Sequence, residues 1–222
     1  MYLHQNKDWP NFKWDNDTLL PYVSKVRDLQ GRLIGRMEGI GFELREEAVL
    51  ETITEDVVKS SEIEGELLNP EEVRSSVARR LGMEISGLPN ASRDVEGVVE
   101  MMLDATQKYK DSITKDRMCG WHAALFPTGR SGMYKITVGD WRGDEHRPMQ
   151  VVSGAMGREK VHYTAPEAHR LEEEMNQFIE WFNADGSMEP VIKSAIAHLW
   201  FVSIHPFDDG NGRIARAIAD TQ

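Results

Sequence analysis

Apolar residues recur three and four positions apart through most of this 222-residue chain, and that spacing commits the backbone to amphipathic helices. Leu19, Tyr22, Val23, Val26, Leu29, Leu33, Met37 and Ile40 form the first stripe, with Asp17 or Thr18 as its cap. A second runs from about Arg45 with Val49, Leu50, Ile53 and Val57 on one face, and Gly65 ends or bends it. Asn69-Pro70-Glu71-Glu72 reads as cap, first-turn proline and acidic first turn of a third helix that stops before Gly82. Residues 92–109 and 114–125 repeat the pattern. Residues 127–163 break it with Gly, Pro and β-branched residues. Within them Met149-Gln150-Val151-Val152 and Lys160-Val161-His162-Tyr163 flank Ser153-Gly154-Ala155-Met156-Gly157, which predicts a hairpin. Helical spacing returns over 166–183 and 190–204, each opened by a proline. Ile214, Ala217 and Ile218 are still helical near Gln222, so the expectation is a domain truncated at its C-terminal end.

The remaining composition narrows the function classes. Lys and Arg number 26 against 37 Asp and Glu, a net charge of −11, which offers no overall basic field for nucleic acid. With 40% apolar residues the chain has material for a core. No apolar run approaches the roughly eighteen residues that span a bilayer, and the first thirty residues do not read as a secretion signal. Cys119 is the single cysteine, so no intrachain disulfide forms, and it reads as a small buried apolar residue in a cytoplasmic protein.

The chemistry concentrates in His205-Pro206-Phe207-Asp208-Asp209-Gly210-Asn211-Gly212-Arg213-Ile214-Ala215-Arg216, directly ahead of the last helical stretch. Gly210 and Gly212 let the backbone turn so that consecutive N–H groups converge on an anion at a helix N-terminus. Arg213 and Arg216, three apart, share a helix face and suit phosphate oxygens. Asp209 supplies the hard oxygen that Mg²⁺ prefers. His205 is the residue of the passage able to take a proton near neutral pH. Phe207 reads as an apolar anchor for the loop and Pro206 as a helix stop.

This passage resembles the motif of the Fic family, His-x-Phe-x-Asp/Glu-Gly-Asn-Gly-Arg-x-x-Arg, at every specified position. The likeness reaches back through residues 196–204 and the hairpin to about Thr114, and residues 1–110 resemble the helical lead of one bacterial branch. It implies a mainly α-helical Fic-type bundle with a small β-hairpin flap, organised as a helical N-terminal region, 1–110, and a Fic core, 111–222. It also implies transfer of AMP from ATP to a Ser, Thr or Tyr hydroxyl of a target protein. By the match, His205 is the general base and Asp209 holds Mg²⁺ on the ATP phosphates. Gly210, Asn211 and Gly212 cradle phosphates, and Arg213 and Arg216 bind the outer ones. Family members with Lys at the place of Gly212 resemble phosphate-transferring toxins, so Gly212 favours AMP transfer.

Two further segments take meaning from the resemblance. Ser60-x-x-x-Glu64-Gly65 matches the family's inhibitory motif, whose glutamate pairs with the second arginine, here Arg216, in place of the γ-phosphate. The resemblance to bifunctional members implies, as the alternative, that the same Glu64 positions a water that removes AMP from a modified target. The hairpin residues Val151, Val161, His162 and Tyr163 correspond to the flap that aligns a target segment by main-chain pairing, with Val161 and Tyr163 on one face. Removal of AMP, transfer of another nucleotide-derived group and a regulatory nucleotide-binding module are the alternative readings, and self-association is left open. His146, His162, His169 and His198 lack zinc-site spacing. Trp121, Trp181 and Trp200 read as core, and Glu172-Glu173-Glu174 as a solvated helix face.

Overall fold

The computed structural model describes residues 1–83, 87, 89–143, 148–154, 158, 160–184 and 186–222. His146 and residues 155–157 of the expected hairpin lie outside them. Among the described residues are eight α-helices and two two-stranded antiparallel sheets, a mainly helical fold. They form two compact units, residues 12–99 and residues 1–11 together with 100–222. In this grouping the first eleven residues go with the later unit.

In the unit 12–99, α1 (Asn16–Gly39) is capped by Asp15. The Asp15 carboxylate accepts from the Asp17 N–H at 3.0 Å and from the Thr18 hydroxyl at 2.7 Å, so the two expected caps lie in the first turn instead. No residue of α1 is buried, and Tyr22 and Leu33 of its stripe are 68% and 61% exposed. Helical spacing dictated the helix without dictating a cover for its apolar face. α2 (Phe42–Ile63) packs on α3 (Pro70–Arg80), burying Leu50, Ile53 and Val57 with Val73 and Val77. Val49, expected on the same face, turns outward. Asn69 caps α3 by accepting from the Glu71 N–H at 2.9 Å, with Pro70 at the first position, as the sequence predicts.

α2 ends where Gly65 takes φ +81°, a backbone that L side chains rarely adopt. The Glu66 N–H bonds to the Ser61 carbonyl and the Gly65 N–H to that of Glu62, both at 3.0 Å, which closes the helix in a Schellman motif. Glu64 is thereby held as the cap residue, exposed, one turn beyond the buried Ser60.

α4 (Arg93–Gln107) runs through the division between the units. In the second unit, Thr114 caps α5 (Lys115–Leu125) by accepting from the Arg117 N–H at 3.1 Å. A short hairpin of β1 (Arg130–Ser131) and β2 (Tyr134–Lys135) follows, and the expected one appears as β3 (Gln150–Ser153) with β4 (Lys160–Thr164). α6 (Leu171–Asn183) starts later than the periodicity suggests, because Ala168–Arg170 is a 3₁₀ turn. α7 (Pro190–Ile204) packs between α6 and α8 (Asn211–Ala219). Phe178, Phe201, Phe207, Met175 and Ile214 fill the core, the Phe178 ring lying 5.6 Å from Trp200 and 5.8 Å from Phe201. Cys119 is buried, and burial pushes its thiol up to about 11, so it remains a neutral packing group.

Residues 1–11 lie on this core. The 3₁₀ turn Leu3–Gln5 contacts α7, and the Trp9 indole N–H donates to Glu174 Oε2 at 2.8 Å. Arg170 also reaches Glu174, which is buried. The acidic triplet expected to be solvated therefore keeps Glu172 and Glu173 outside and turns Glu174 inward. Among the described residues no helix is long and apolar enough to cross a membrane.

Candidate active site

α7 ends at His205, whose left-handed backbone, φ 54° and ψ 59°, is the one positive φ outside glycine among the described residues. Such a conformation is about 1–2 kcal/mol uphill for an L residue, so the surroundings must hold it. They do so carbonyl by carbonyl, since a helix end leaves its last C=O groups without intrahelical donors. The His205 N–H donates to the Phe201 carbonyl at 2.9 Å, and Nδ1 lies 3.2 Å from that of Val202. The Tyr163 hydroxyl donates to the Ser203 carbonyl at 2.7 Å. Arg142 Nε and the Arg142 backbone N–H take the carbonyls of His205 and Pro206 at 2.8 and 2.9 Å. Arg142 is buried at 3% exposure and also donates to Pro166 O at 2.6 Å.

A carbonyl only accepts, so the contact with Val202 assigns the proton of His205 to Nδ1 and its basic lone pair to Nε2. The bend thus fixes both the placement and the tautomer of the ring.

The loop beyond is tied across its own base. The Phe207 N–H donates to Asn211 Oδ1 at 2.9 Å, and Asn211 Nδ2 donates to the Phe207 carbonyl at 2.8 Å. Asn211 is buried, and its side chain acts here as a brace. Phe207 anchors the loop in the core, stacked on His122 with ring centres 4.2 Å apart and planes 7° from parallel. His122 is fully buried, and burial lowers its pKa to about 4 against the upward pull of the Asp209 backbone and the Asp208 and Asp209 carboxylates. It stays neutral at pH 7 beneath the loop.

Gly210 turns the chain into α8 with φ +77°. A Cβ there would lie 2.9 Å from Phe126 Cε2 and 3.4 Å from Leu125 Cδ1. Gly210→Ala combines this overlap with a disfavoured backbone, so a loss of about 1–3 kcal/mol is expected in urea unfolding. Unchanged stability would show that the loop tolerates a side chain. The first intrahelical bond of α8 runs from the Ile214 N–H to the Gly210 carbonyl at 3.0 Å, and no side chain caps this end. The N–H groups of the first turn precede that bond, the arrangement that receives anions.

Asp209 Oδ1 accepts from the Gly210 N–H at 2.6 Å, and Oδ2 accepts from the Ser131 hydroxyl. Asp208 accepts from the Thr137 N–H at 2.8 Å, so the segment around β1 and β2 supports both acids. A carboxylate has about four lone-pair sites, which leaves Asp209 capacity for a cation. Among the described residues no cluster of three or more His, Cys, Asp or Glu forms a cage. One carboxylate completed by phosphate oxygens and water is the donor set that suits Mg²⁺. Arg213 is buried with its guanidinium 5.2 Å above the Phe126 ring, and Arg216 is half-buried on the same helix. Burial, and next the Arg216 charge, lower the pKa of His198 on α7.

The β3–β4 hairpin carries an irregularity. Val151 pairs with Tyr163 and Val152 with Val161, so His162 is an extra residue opposite the junction. Its Nε2 lies 2.6 Å from the Ser153 hydroxyl. Val161 is exposed, whereas Tyr163 is half-buried and turned to α7, so the simple alternation expected of the two is interrupted. Ser60, Glu64 and Gly65 belong to the other unit. Arg142, His122, Ser131 and Thr137 escaped sequence reasoning, because each acts on a residue far away in the chain and sits in no motif.

Residues 112–222, half of the chain, match the model of the Fic/DOC family, and residues 2–83 match a domain of unknown function, DUF4172. Over 49 residues the chain is 49% identical to a protein adenylyltransferase Fic of Culex quinquefasciatus, and over 48 residues it is 40% identical to protein adenylyltransferase fic-1 of Caenorhabditis elegans. These stretches cover 21% of this chain but only 10% and 9% of those relatives. A Fic family protein from Desulfovibrio desulfuricans shares the fold with a TM-score of 0.58 at 23% identity, over 96% of this chain and 58% of that one. A Fic domain containing signaling protein from Bacteroides thetaiotaomicron does so with a TM-score of 0.61 at 24% identity, over 83% and 67%. A family match over half the chain, on a fold these structures share, places the chain in the Fic/DOC family.

Proposed function

We propose that the chain transfers AMP from Mg·ATP to a Ser, Thr or Tyr hydroxyl of a target protein. The observation that carries this reading is the braced segment 205–216, which joins a left-handed, tautomer-fixed histidine to the uncapped N-terminus of an arginine-bearing helix. The target hydroxyl gives its proton to His205 Nε2, and its oxygen forms the new bond to the α-phosphorus. The bond from that phosphorus to the bridging oxygen breaks, and pyrophosphate leaves with the electron pair. Charge gathers on phosphate oxygens, where the α8 N-terminus, Arg213 and Arg216 supply donors in place beforehand. Asp209 holds Mg²⁺, which neutralises phosphate charge when bound. Main-chain edges of the β3–β4 hairpin suit alignment of an extended target segment, a mode tolerant of target sequence.

The reading includes a brake in which Glu64 pairs with Arg216 and occupies the place of the γ-phosphate. The Schellman end of α2 supports it by giving Glu64 a fixed place at a helix terminus. Glu64→Gly is expected to raise transfer about tenfold, the equivalent of about 1.4 kcal/mol and the scale of one charge-assisted contact.

The test incubates the protein with Mg²⁺, a host lysate and ATP labelled on either the α- or the γ-phosphate. AMP transfer leaves α-label on protein and γ-label in pyrophosphate. Protein-bound γ-label would replace the reading with phosphate transfer, and equal α-label in wild type and Glu64→Gly would remove the brake. Release of AMP from a modified target would make Glu64 a water-positioning residue instead.

A further inference from the structure

The side chain of Tyr163 joins three parts of the catalytic unit that are far apart in sequence. Its O–H donates to the Ser203 carbonyl at 2.7 Å, two residues before His205. That proton is then committed, so the contact of 3.0 Å with His4 Nδ1 runs the other way, with the Nδ1–H donating to the tyrosine oxygen. His4 is buried at 7% exposure. Burial and the Arg170 charge lower its pKa, with Glu174 opposing, which favours the neutral ring this chain of bonds uses. Around the hydroxyl, the Tyr2 and His4 rings meet the Tyr163 ring edge-on at 5.3 and 5.7 Å.

The same amino-terminal segment has a second hold on α7. Trp9 donates to the buried Glu174 at 2.8 Å, and its ring lies edge-on to Trp200 at 6.1 Å. Residues 200 and 203 are one turn apart, so the two holds bracket the last turn of the helix that presents the histidine. Tyr163 itself stands on β4, opposite Val151. A shift of its hydroxyl therefore moves a flap strand and the end of α7 together.

We propose that residues 2–9 are a positioning element of the catalytic unit, and that the relay His4 to Tyr163 to Ser203 sets the seat of the flap strand against the end of α7. His4 and Tyr163 are positioning residues in this account, because neither touches the reacting atoms. The proposal rests on the transfer activity proposed above, and its first readout is independent of that activity. The family model that covers residues 2–83 assigns this segment to the other domain, whereas the fold joins it to the catalytic one.

The experiment compares the full chain with Tyr163→Phe, His4→Leu, His4→Asn and the double variant Tyr163→Phe/His4→Leu. Hydrogen exchange is followed at residues 160–164 and 203–207, alongside ATP affinity and the kcat and KM of α-label transfer. Tyr163→Phe keeps the ring and removes the relay, so exchange in both segments should speed up about tenfold, the scale of one or two lost hydrogen bonds. His4→Leu should do the same, and the double variant should add little to either change. His4→Asn, whose amide N–H falls near the position of Nδ1, should restore most of the protection. ATP affinity should hold, while kcat for a protein target falls about tenfold. Unchanged exchange in Tyr163→Phe, or additive effects of the two single changes, would overturn the relay whatever the label shows. Altered exchange with transfer kinetics like those of wild type would overturn the positioning role. Altered exchange with no transfer by the wild type would overturn the functional reading while leaving the relay in place.

Discussion

His205→Ala is expected to lower AMP transfer by about 10²–10⁴-fold, the usual worth of a positioned general base. The ring nitrogen that faces the Val202 carbonyl is fixed as a donor, so one atom, Nε2, performs proton abstraction in this account. Removing the ring leaves the α8 N-terminus, Arg213 and Arg216 in place, and nucleotide affinity should change little. The left-handed backbone complicates alanine, which is less at ease at φ 54° than a residue with a short polar side chain. His205→Asn resolves this, because asparagine tolerates the conformation but cannot accept the proton. Both variants should lose α-label incorporation under single-turnover conditions while binding ATP alike. Transfer within about threefold of wild type in His205→Asn would place the base elsewhere.

Phe207→Ala is expected to destabilise the catalytic unit by about 3–5 kcal/mol, the range for removing a phenyl ring from a close-packed core. The ring has no exposure. Besides His122 at 4.2 Å it meets Trp141 at 5.1 Å and Phe201 at 6.3 Å. Its backbone N–H and carbonyl are the two groups Asn211 braces, so the cavity would lie directly under the loop. Urea unfolding followed by tryptophan fluorescence measures the loss, and Phe207→Leu should recover more than half of it by refilling volume. A loss under 1 kcal/mol would mean that the loop stands without its anchor. Transfer measured at temperatures where Phe207→Ala remains folded should still fall, since the loop presents the histidine and the acid together.

How far the chain could be read in advance depended on the range of each interaction. α7 occupies the span its apolar spacing and Pro190 predict, and α3 starts at the cap and proline of Asn69-Pro70. Those are local terms, decided within one or two turns. Gly65 and Gly210 are likewise legible, because positive φ favours glycine, which carries no Cβ to clash. The motif from His205 to Arg216 is contiguous, so it is legible as a pattern without the fold. The cap of α1 lies two or three residues before the expected Asp17 or Thr18, since Asp15, Asp17 and Thr18 are all able caps and only the backbone chooses among them.

What the sequence by itself determined, then, is a helical chain with a glycine- and arginine-bearing loop ahead of its last helix and a histidine beside it. The tertiary structure decided how that histidine is held. Arg142 lies 63 residues from His205, Ser131 lies 78 from Asp209, and His4 lies 159 from Tyr163. It also turned Glu174 inward from an acidic triplet, left the stripe of α1 uncovered and joined residues 1–11 to the unit of residues 100–222. Periodicity and capping record interactions along one element, whereas each of these contacts depends on which elements meet, and a linear pattern carries no term for that.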